Sequence, residues 1–214
     1  MRGGLVDRIE AEARERMRSV RESHGWDHVQ RVRTLALAIC RAERGRVEIV
    51  EPAALLHDIG REAEEMSGGG VCHAEAGARM AEEILSAAGA DPDLAREIVH
   101  CVAAHRFRGT LEPRSLEARI LFDADKLDSI GAIGLGRAFL FAGEVGARLH
   151  NPEADPASRP ARTSEDTALR EFLVKLRFVK DRMFTRTGRG LAEGRHAFME
   201  VFFAEMDTEI AARR

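Results

Sequence analysis

The adjacent pair His57-Asp58 follows an apolar run and is the sharpest chemical feature of this sequence. A single His-Asp pair is common at helix ends, so its weight depends on other residues that could bind the same partner. His28 lies on the preceding predicted helix, and Asp125 follows a strongly apolar stretch far downstream. A carboxylate buried among apolar side chains is costly unless a cation or a hydrogen-bond network compensates its charge. A shared metal ion would compensate it.

Two imidazoles and two carboxylates form a mixed nitrogen and oxygen ligand set. Such a set suits manganese, iron, cobalt, nickel or magnesium better than a structural zinc site, and it leaves coordination positions open. A divalent ion held this way lowers the pKa of water enough to supply hydroxide at neutral pH, and it neutralises a phosphoryl oxygen. The four residues therefore predict hydrolysis of a phosphate ester or anhydride.

The composition excludes several other kinds of protein. The 214 residues, 44% apolar and 32% charged, suffice for one globular domain with a continuous core. A formal net charge of -3 argues against a dedicated nucleic-acid binder. The sequence contains neither a membrane-spanning apolar run nor the apolar core of a secretory signal. We therefore expect a cytoplasmic protein with no membrane contact, acting on a small partner.

Nearly every long segment places apolar residues at a spacing near 3.6, which predicts an all-α fold. The predicted helices, with Asp27 as the N-cap of the second, cover residues 5–21, 27–45, 52–60, 73–88, 91–105, 115–127, 130–149, 164–184 and 190–210. Because no linker or internal repeat divides the chain, we expect a single domain over residues 1–214.

The order His28, His57-Asp58, Asp125 resembles the H…HD…D signature of the HD-domain metal-dependent phosphohydrolase superfamily. Further blocks extend the resemblance: HGWDHVQRV, LLHDIG, HAEAGARMAEEIL, AAHRF, DADKLDSIGAIGLGRAF and KLRFVKDRMFTRTGRGLAEGRHAFM. They are similar to a bacterial subfamily of HD hydrolases, some of which are nucleotide pyrophosphohydrolases. The resemblance implies an HD-domain helical bundle of about eight to nine helices. Its core signature covers residues 24–130, and the C-terminal helices over residues 164–212 pack on the same domain.

The resemblance also assigns the residues of a metal site. It implies that one divalent ion is bound by four ligands, of which the middle two are also the catalytic pair: His28, His57, Asp58 and Asp125. The choice of Asp125 over Asp123 or Asp128 rests on the family's Ala-Asp-x-Leu pattern, which here covers residues 124–127.

Two more histidines, His73 and His105, lie where binuclear branches of the superfamily place extra ligands. As the alternative to a single ion, they would hold a second one. Without it, they are suited to bind a phosphate or to shuttle a proton. His100 lies about 140° from His105 around a helix, so at most one of the two faces the site. The block AAHRF favours His105.

Basic side chains are the expected phosphate ligands, because guanidinium groups bind phosphate oxygens in pairs and stay charged at any working pH. Arg31 follows His28 by one helical turn, and Lys126 directly follows Asp125. We expect both to bind substrate, although Lys126 could instead form an ion pair with a neighbouring carboxylate. Further arginines follow His105 and are equally well explained as surface charges: Arg106, Arg108 and Arg114.

We therefore predict a metal-dependent phosphohydrolase whose substrate is a small phosphorylated metabolite, with a nucleotide preferred. One alternative changes the substrate to a diadenosine polyphosphate, a cyclic nucleotide or an alarmone, and a second metal at His73 and His105 would favour it. The other alternative is a non-catalytic module that senses a nucleotide. All four signature residues are present, which counts against a sensor. The sequence is also compatible with a homo-oligomer.

Overall fold

The computed structural model describes residues 2–106, 111–151 and 155–212. Throughout these ranges the fold is all-α, as predicted, and no β-strand occurs in them. The chain divides into two compact units, the first ending at Asp125 and the second beginning at Lys126. The organisation of residues 1–214 as one domain stays a prediction.

The first unit contains the helices from which the candidate site is built. They are α1 (Arg2–Arg16), α2 (Trp26–Glu43), α3 (Val47–Leu56), α4 (Arg61–Met66), α5 (His73–Ala87), α6 (Pro92–Ala104) and most of α7 (Leu116–Asp128). In the second unit, 3-10 turns accompany α8 (Gly131–Glu144), α9 (Ala168–Val174) and α10 (Arg186–Ile210). No helix in the described part of the chain is long and apolar enough to cross a membrane.

Several predicted helix boundaries are wrong, because local backbone geometry ends a helix where the apolar period continues. The N-cap of α2 is Gly25 rather than Asp27. α8 ends at Glu144, since Gly146 adopts a left-handed backbone with φ of 69°. The helix predicted over residues 164–184 stops at Val174, because the next residue, Lys175, leaves the helical region. The short helix α4 was not predicted.

The core of the first unit surrounds α3. This helix packs against α1, α2 and α6, and α5 packs against α6. The fully buried apolar side chains include Ile9, Ile39, Ile49, Leu55, Leu56, Ile98, Ile120 and Leu121. The pair His57-Asp58 directly follows α3, whose last five residues are all buried, so both side chains lie in the interior of the unit.

Gly60 allows the chain after α3 to approach α5 closely. A Cβ atom at this position would lie 2.2 Å from the carbonyl oxygen of His73 and 2.6 Å from the amide nitrogen of Gly77. These distances leave no space for a side chain, so the contact requires glycine. The contact holds His73, the first residue of α5, close to Asp58.

The second unit has its own apolar core. α8 packs against α9 and α10. The rings of Phe172 and Phe203 stack with centroids 4.8 Å apart, and those of Phe139 and Phe202 meet edge to face at 5.9 Å. Aromatic pairs of this kind add to the stability that burial alone provides.

Candidate metal centre

Six of the residues predicted from the sequence converge in the first unit. They come from the start of α2, the end of α3, the start of α5, the end of α6 and the last turn of α7, and each is at most 5% exposed: His28, His57, Asp58, His73, His105 and Asp125. Charged and imidazole side chains at this depth require partners. Their convergence makes a mixed imidazole and carboxylate cluster.

The first trio of the cluster consists of His28, His57 and Asp125. One ligand atom from each lies within 4.8 Å of the other two. Nε2 of His28 is 3.2 Å from Nε2 of His57 and 3.5 Å from Oδ1 of Asp125. The three atoms therefore face one small space of the size that a metal ion occupies.

The second trio consists of Asp58, His73 and His105, whose ligand atoms also lie within 4.8 Å of one another. Nε2 of His105 is 3.4 Å from Oδ1 of Asp58, and Nε2 of His73 is 3.7 Å from the same oxygen. The structure thus brings His105 to the cluster. His100 lies elsewhere, and its Nε2 accepts a hydrogen bond from the backbone of Arg114.

Asp58 connects the two trios. Its Oδ1 faces the second trio, while its Oδ2 lies 3.5 Å from Nε2 of His28 and 3.6 Å from Nε2 of His57. Both oxygens are fully buried, and neither accepts a hydrogen bond of good geometry from the described residues, although Nε of Arg61 lies 2.9 Å from Oδ1. Nε2 of His105 is in the same condition. Buried polar atoms without such a bond are costly. The guanidinium group of Arg61 compensates part of the charge at Oδ1, and metal ions in the two trios would satisfy the remaining lone pairs of both oxygens.

The main chain orients two of the imidazoles. Nδ1 of His57 donates to the carbonyl oxygen of Ala54 at 2.8 Å, and Nδ1 of His105 donates to that of Val102 at 2.6 Å. Because a carbonyl oxygen can only accept, the proton lies on Nδ1, and Nε2 presents its lone pair to the cluster. Metal-binding histidines in proteins are commonly held in this way.

The ionisation of the central residues at neutral pH suits metal binding. Burial lowers the pKa of His57 to about 4, so its imidazole is neutral. Burial acts to raise the pKa of Asp58, but the charge of Arg61 and the adjacent imidazoles outweigh it and hold that pKa well below its ordinary value. A neutral imidazole and an ionised carboxylate are the forms that bind metals.

The lowered pKa of His57 predicts that the metal-free protein loses stability in mild acid. In the unfolded chain the imidazole has a pKa near 6.5, so it binds a proton at a pH where folded His57 is still neutral. Because the unfolded state then binds more protons, lowering the pH favours unfolding. The stabilisation is complete above pH 6.5 and is lost between pH 6.5 and about 4. The loss amounts to roughly 3 kcal/mol at most. Urea unfolding of the chelator-treated protein at a series of pH values measures it.

A His57→Asn variant is the control for this pH dependence. It lacks the titrating imidazole, so its free energy of unfolding should vary less between pH 6.5 and 4. A wild-type stability that stays constant across this interval would contradict the assignment.

Two charged residues near the second trio were not predicted from the sequence. Nε of Arg61 lies 2.9 Å from Oδ1 of Asp58, and Nη1 of Arg61 lies 3.0 Å from Oε2 of Glu64. Burial opposes ionisation of Glu64, but contacts with His73 and the arginines lower its pKa to about 2. Arg61 follows Asp58 by three residues, and Glu64 follows Arg61 by three. Because residues three apart share a helix face, this spacing could have indicated that Arg61 and Glu64 lie beside Asp58.

The remaining predicted substrate residues are less enclosed. Arg31 lies on α2 and Lys126 on α7, and both are partly exposed. Their roles in substrate binding stay predictions. Nη2 of Arg106 lies 3.4 Å from Oε1 of Glu64, beside the second trio. Arg108 lies outside the described residues.

The HD domain family model matches residues 25–130 of this chain. The chain is also 36% identical to the YpgQ protein of Bacillus subtilis strain 168 over 194 residues, which cover 87% of this chain and 84% of YpgQ. The chain belongs to the HD-domain phosphohydrolase superfamily. The family resemblance predicted from the sequence is thereby confirmed, and the matched residues include all six members of the cluster.

Two solved structures are similar to nearly the whole chain. One is the crystal structure of B. subtilis YpgQ in complex with ADP, which matches this chain with a TM-score of 0.76 and coverage of 97% of this chain and 96% of that one. Over the residues matched in this structural comparison, the two sequences are 28% identical. An HD-superfamily hydrolase from Bacillus thuringiensis is 27% identical, with a TM-score of 0.75 and full coverage of both chains.

Proposed function

We propose that the protein is a divalent-metal-dependent phosphohydrolase that cleaves a phosphate ester or anhydride bond of a nucleotide. The observation that carries the proposal is the position of Asp58, a buried carboxylate whose Oδ1 belongs to the second trio and whose Oδ2 is directed at the first. We further propose two ions, one for each trio, instead of the single ion expected from the sequence. The nitrogen and oxygen donors suit manganese, iron, cobalt, nickel or magnesium.

When bound, divalent ions supply a water of lowered pKa and neutralise phosphoryl charge. The chain's own residues prepare the site for them. The carbonyl groups of Ala54 and Val102 fix the rings of His57 and His105 with Nε2 towards the cluster. Asp58 stays ionised, because burial raises its pKa less than the charge of Arg61 and the adjacent imidazoles together lower it. The ligand side chains are thus oriented before an ion binds, which reduces the reorganisation that binding requires.

A nucleotide is the proposed substrate, because YpgQ, a relative of this chain, has been crystallised with ADP. In our proposal Arg31 and Lys126 bind the phosphate oxygens that do not react. Arg31 lies one helical turn beyond His28, and Lys126 is next to Asp125 in the chain. Guanidinium groups are suited to this role by their fixed pair of donors.

A second candidate function keeps the same chemistry and changes the substrate to a dinucleoside polyphosphate, a cyclic nucleotide or an alarmone. The proximity of His73 and His105 to Asp58 favours it, since two-metal sites are common in phosphoryl displacement. We also propose a cytoplasmic location and no nucleic-acid polymer as partner. A homo-oligomer remains compatible with these proposals.

A substrate panel with Mn2+ tests the proposed activity. We expect turnover of at least one nucleotide and complete inhibition by a chelator. In H2(18)O, we expect 18O to enter the phosphate group whose phosphorus is attacked. Release of pyrophosphate, orthophosphate or a second nucleotide then separates the nucleotide substrates from the dinucleotide alternative. If the metal-loaded protein binds nucleotides and hydrolyses none of the mono-, di-, tri-, cyclic and dinucleoside phosphates, the enzyme proposal is wrong and a sensor is favoured.

A further inference from the structure

His73 reaches the cluster in a different way from His57 and His105. Those two imidazoles follow the ends of helices, and each is held by the carbonyl oxygen of the residue three positions earlier. His73 is instead the first residue of α5. No helical turn precedes it to provide such a carbonyl, so another group must orient its ring.

Glu64, near the end of α4, contacts the nitrogen of His73 that corresponds to the one held by a carbonyl oxygen in His57 and His105. Its Oε2 is 3.0 Å from Nδ1 of His73. The other ring nitrogen, Nε2, lies 3.7 Å from Oδ1 of Asp58. Nδ1 makes no hydrogen bond of good geometry with the described residues, but the carboxylate of Glu64 is nearer to it than Asp58 is to Nε2. Because a carboxylate oxygen can only accept, the nearer contact favours the proton on Nδ1 and leaves the lone pair on Nε2 facing Asp58. One contact thus acts on both the tautomer and the direction of His73.

Two arginines hold the carboxylate of Glu64. Arg61 approaches Oε2 through Nη1 at 3.0 Å, and Arg106 approaches Oε1 through Nη2 at 3.4 Å. Nε of Arg61 also lies 2.9 Å from Oδ1 of Asp58, so one guanidinium group connects Glu64 to Asp58. Charge-assisted contacts to both oxygens restrict rotation of the carboxylate.

We infer that Glu64 is the positioning residue for His73 and that it sets the affinity of the second trio for a divalent ion. The inference rests on the proposed function, since it assumes that the second trio binds a metal. Residues that orient a metal-binding imidazole change metal affinity by roughly 10- to 100-fold. The first trio has other supports, among them the carbonyl of Ala54, so its affinity should stay the same.

Titration of the full chain with Mn2+, followed by calorimetry and electron paramagnetic resonance, tests the effect on affinity. We expect Glu64→Ala to weaken the second Mn2+ by about 10- to 100-fold and to leave the first unchanged. Glu64→Gln should recover part of the loss, because an amide oxygen can still accept from Nδ1 of His73. The matched control is Glu82→Gln on the exposed face of α5, which should bind both ions like the wild type.

Nitrogen-15 spectra of the histidine side chains, recorded before Mn2+ is added, separate two kinds of failure. In the wild type we expect the neutral ring of His73 to carry its single proton on Nδ1. In Glu64→Ala we expect a mixture of the two neutral tautomers, with the proton on either nitrogen. A wild-type chain that binds fewer than two Mn2+ ions contradicts the two-metal proposal, and the spectra alone then decide the positioning role. An unchanged tautomer together with an unchanged second-ion affinity in both Glu64 variants overturns the inference.

Discussion

Replacement of Asp58 by asparagine is expected to remove metal-dependent hydrolysis and the binding of metal to the second trio. Asparagine keeps the shape of the side chain and loses its charge, so only one oxygen remains for two groups of ligands. Both oxygens of Asp58 are buried, and each faces a different trio. The loss of activity should exceed the roughly 10- to 100-fold typical for residues that only orient a ligand. Turnover and bound Mn2+ are the measurements.

The control for Asp58→Asn is Asp93→Asn, an exposed carboxylate on α6 that pairs with Arg96. An exposed ion pair contributes little to stability, so this variant should bind metal and react like the wild type. Circular dichroism of both variants establishes that they are folded. Retention of both metal ions and of turnover within a few-fold in folded Asp58→Asn would contradict the assignment of Asp58.

Replacement of Gly60 by alanine is expected to have the second large effect, mainly on stability. The added Cβ would lie 2.2 Å from the backbone oxygen of His73, so the start of α4 and α5 must separate. Overpacking of this kind costs about 1–3 kcal/mol, and a clash with main chain belongs at the upper end. The melting temperature should fall by roughly 2–4 °C for each kcal/mol. Because His73 moves with α5, affinity for the second metal should fall as well.

Gly136→Ala is the matched control for the Gly60 substitution. Gly136 lies inside α8, and a Cβ there would have no atom within 4 Å. Alanine is the better helix former by about 1 kcal/mol, so this variant should be as stable as the wild type or slightly more so. Equal melting temperatures for wild type and Gly60→Ala would show that the close contact between Gly60 and α5 is absent.

The residues of the cluster could be predicted from the sequence, because their types and order carry the information. His28, His57, Asp58 and Asp125 were chosen from the signature, and the structure brings them together. The all-α fold followed from apolar spacing in the same way. Both predictions depend on patterns along the chain, and neither requires a distance between helices.

The contacts around the second trio could not be predicted in this way. Whether His73 and His105 approach Asp58 depends on how closely α5 and α6 pack against the end of α3. That packing depends on Gly60, whose missing side chain has no counterpart in any ligand motif. Glu64 was not predicted because helix α4 itself was not predicted, and only its position beside His73 distinguishes Glu64 from a surface glutamate.

The predicted ends of two helices were wrong for a related reason. The apolar period continues beyond Glu144 and Val174, but the backbone at Gly146 and Lys175 leaves the helical conformation. Termination depends on a single residue's φ and ψ, whereas periodicity averages over many residues.

The number of divalent ions bound by each folded chain tests the central claim most directly. The purified protein, loaded with Mn2+ and separated from free metal by gel filtration, can be measured by elemental analysis beside Asp58→Asn. The account predicts close to two ions per wild-type chain and a clear loss in the variant. A value near one would contradict binding by the second trio, and a wild-type chain that retains no metal under these conditions would contradict the metal centre itself.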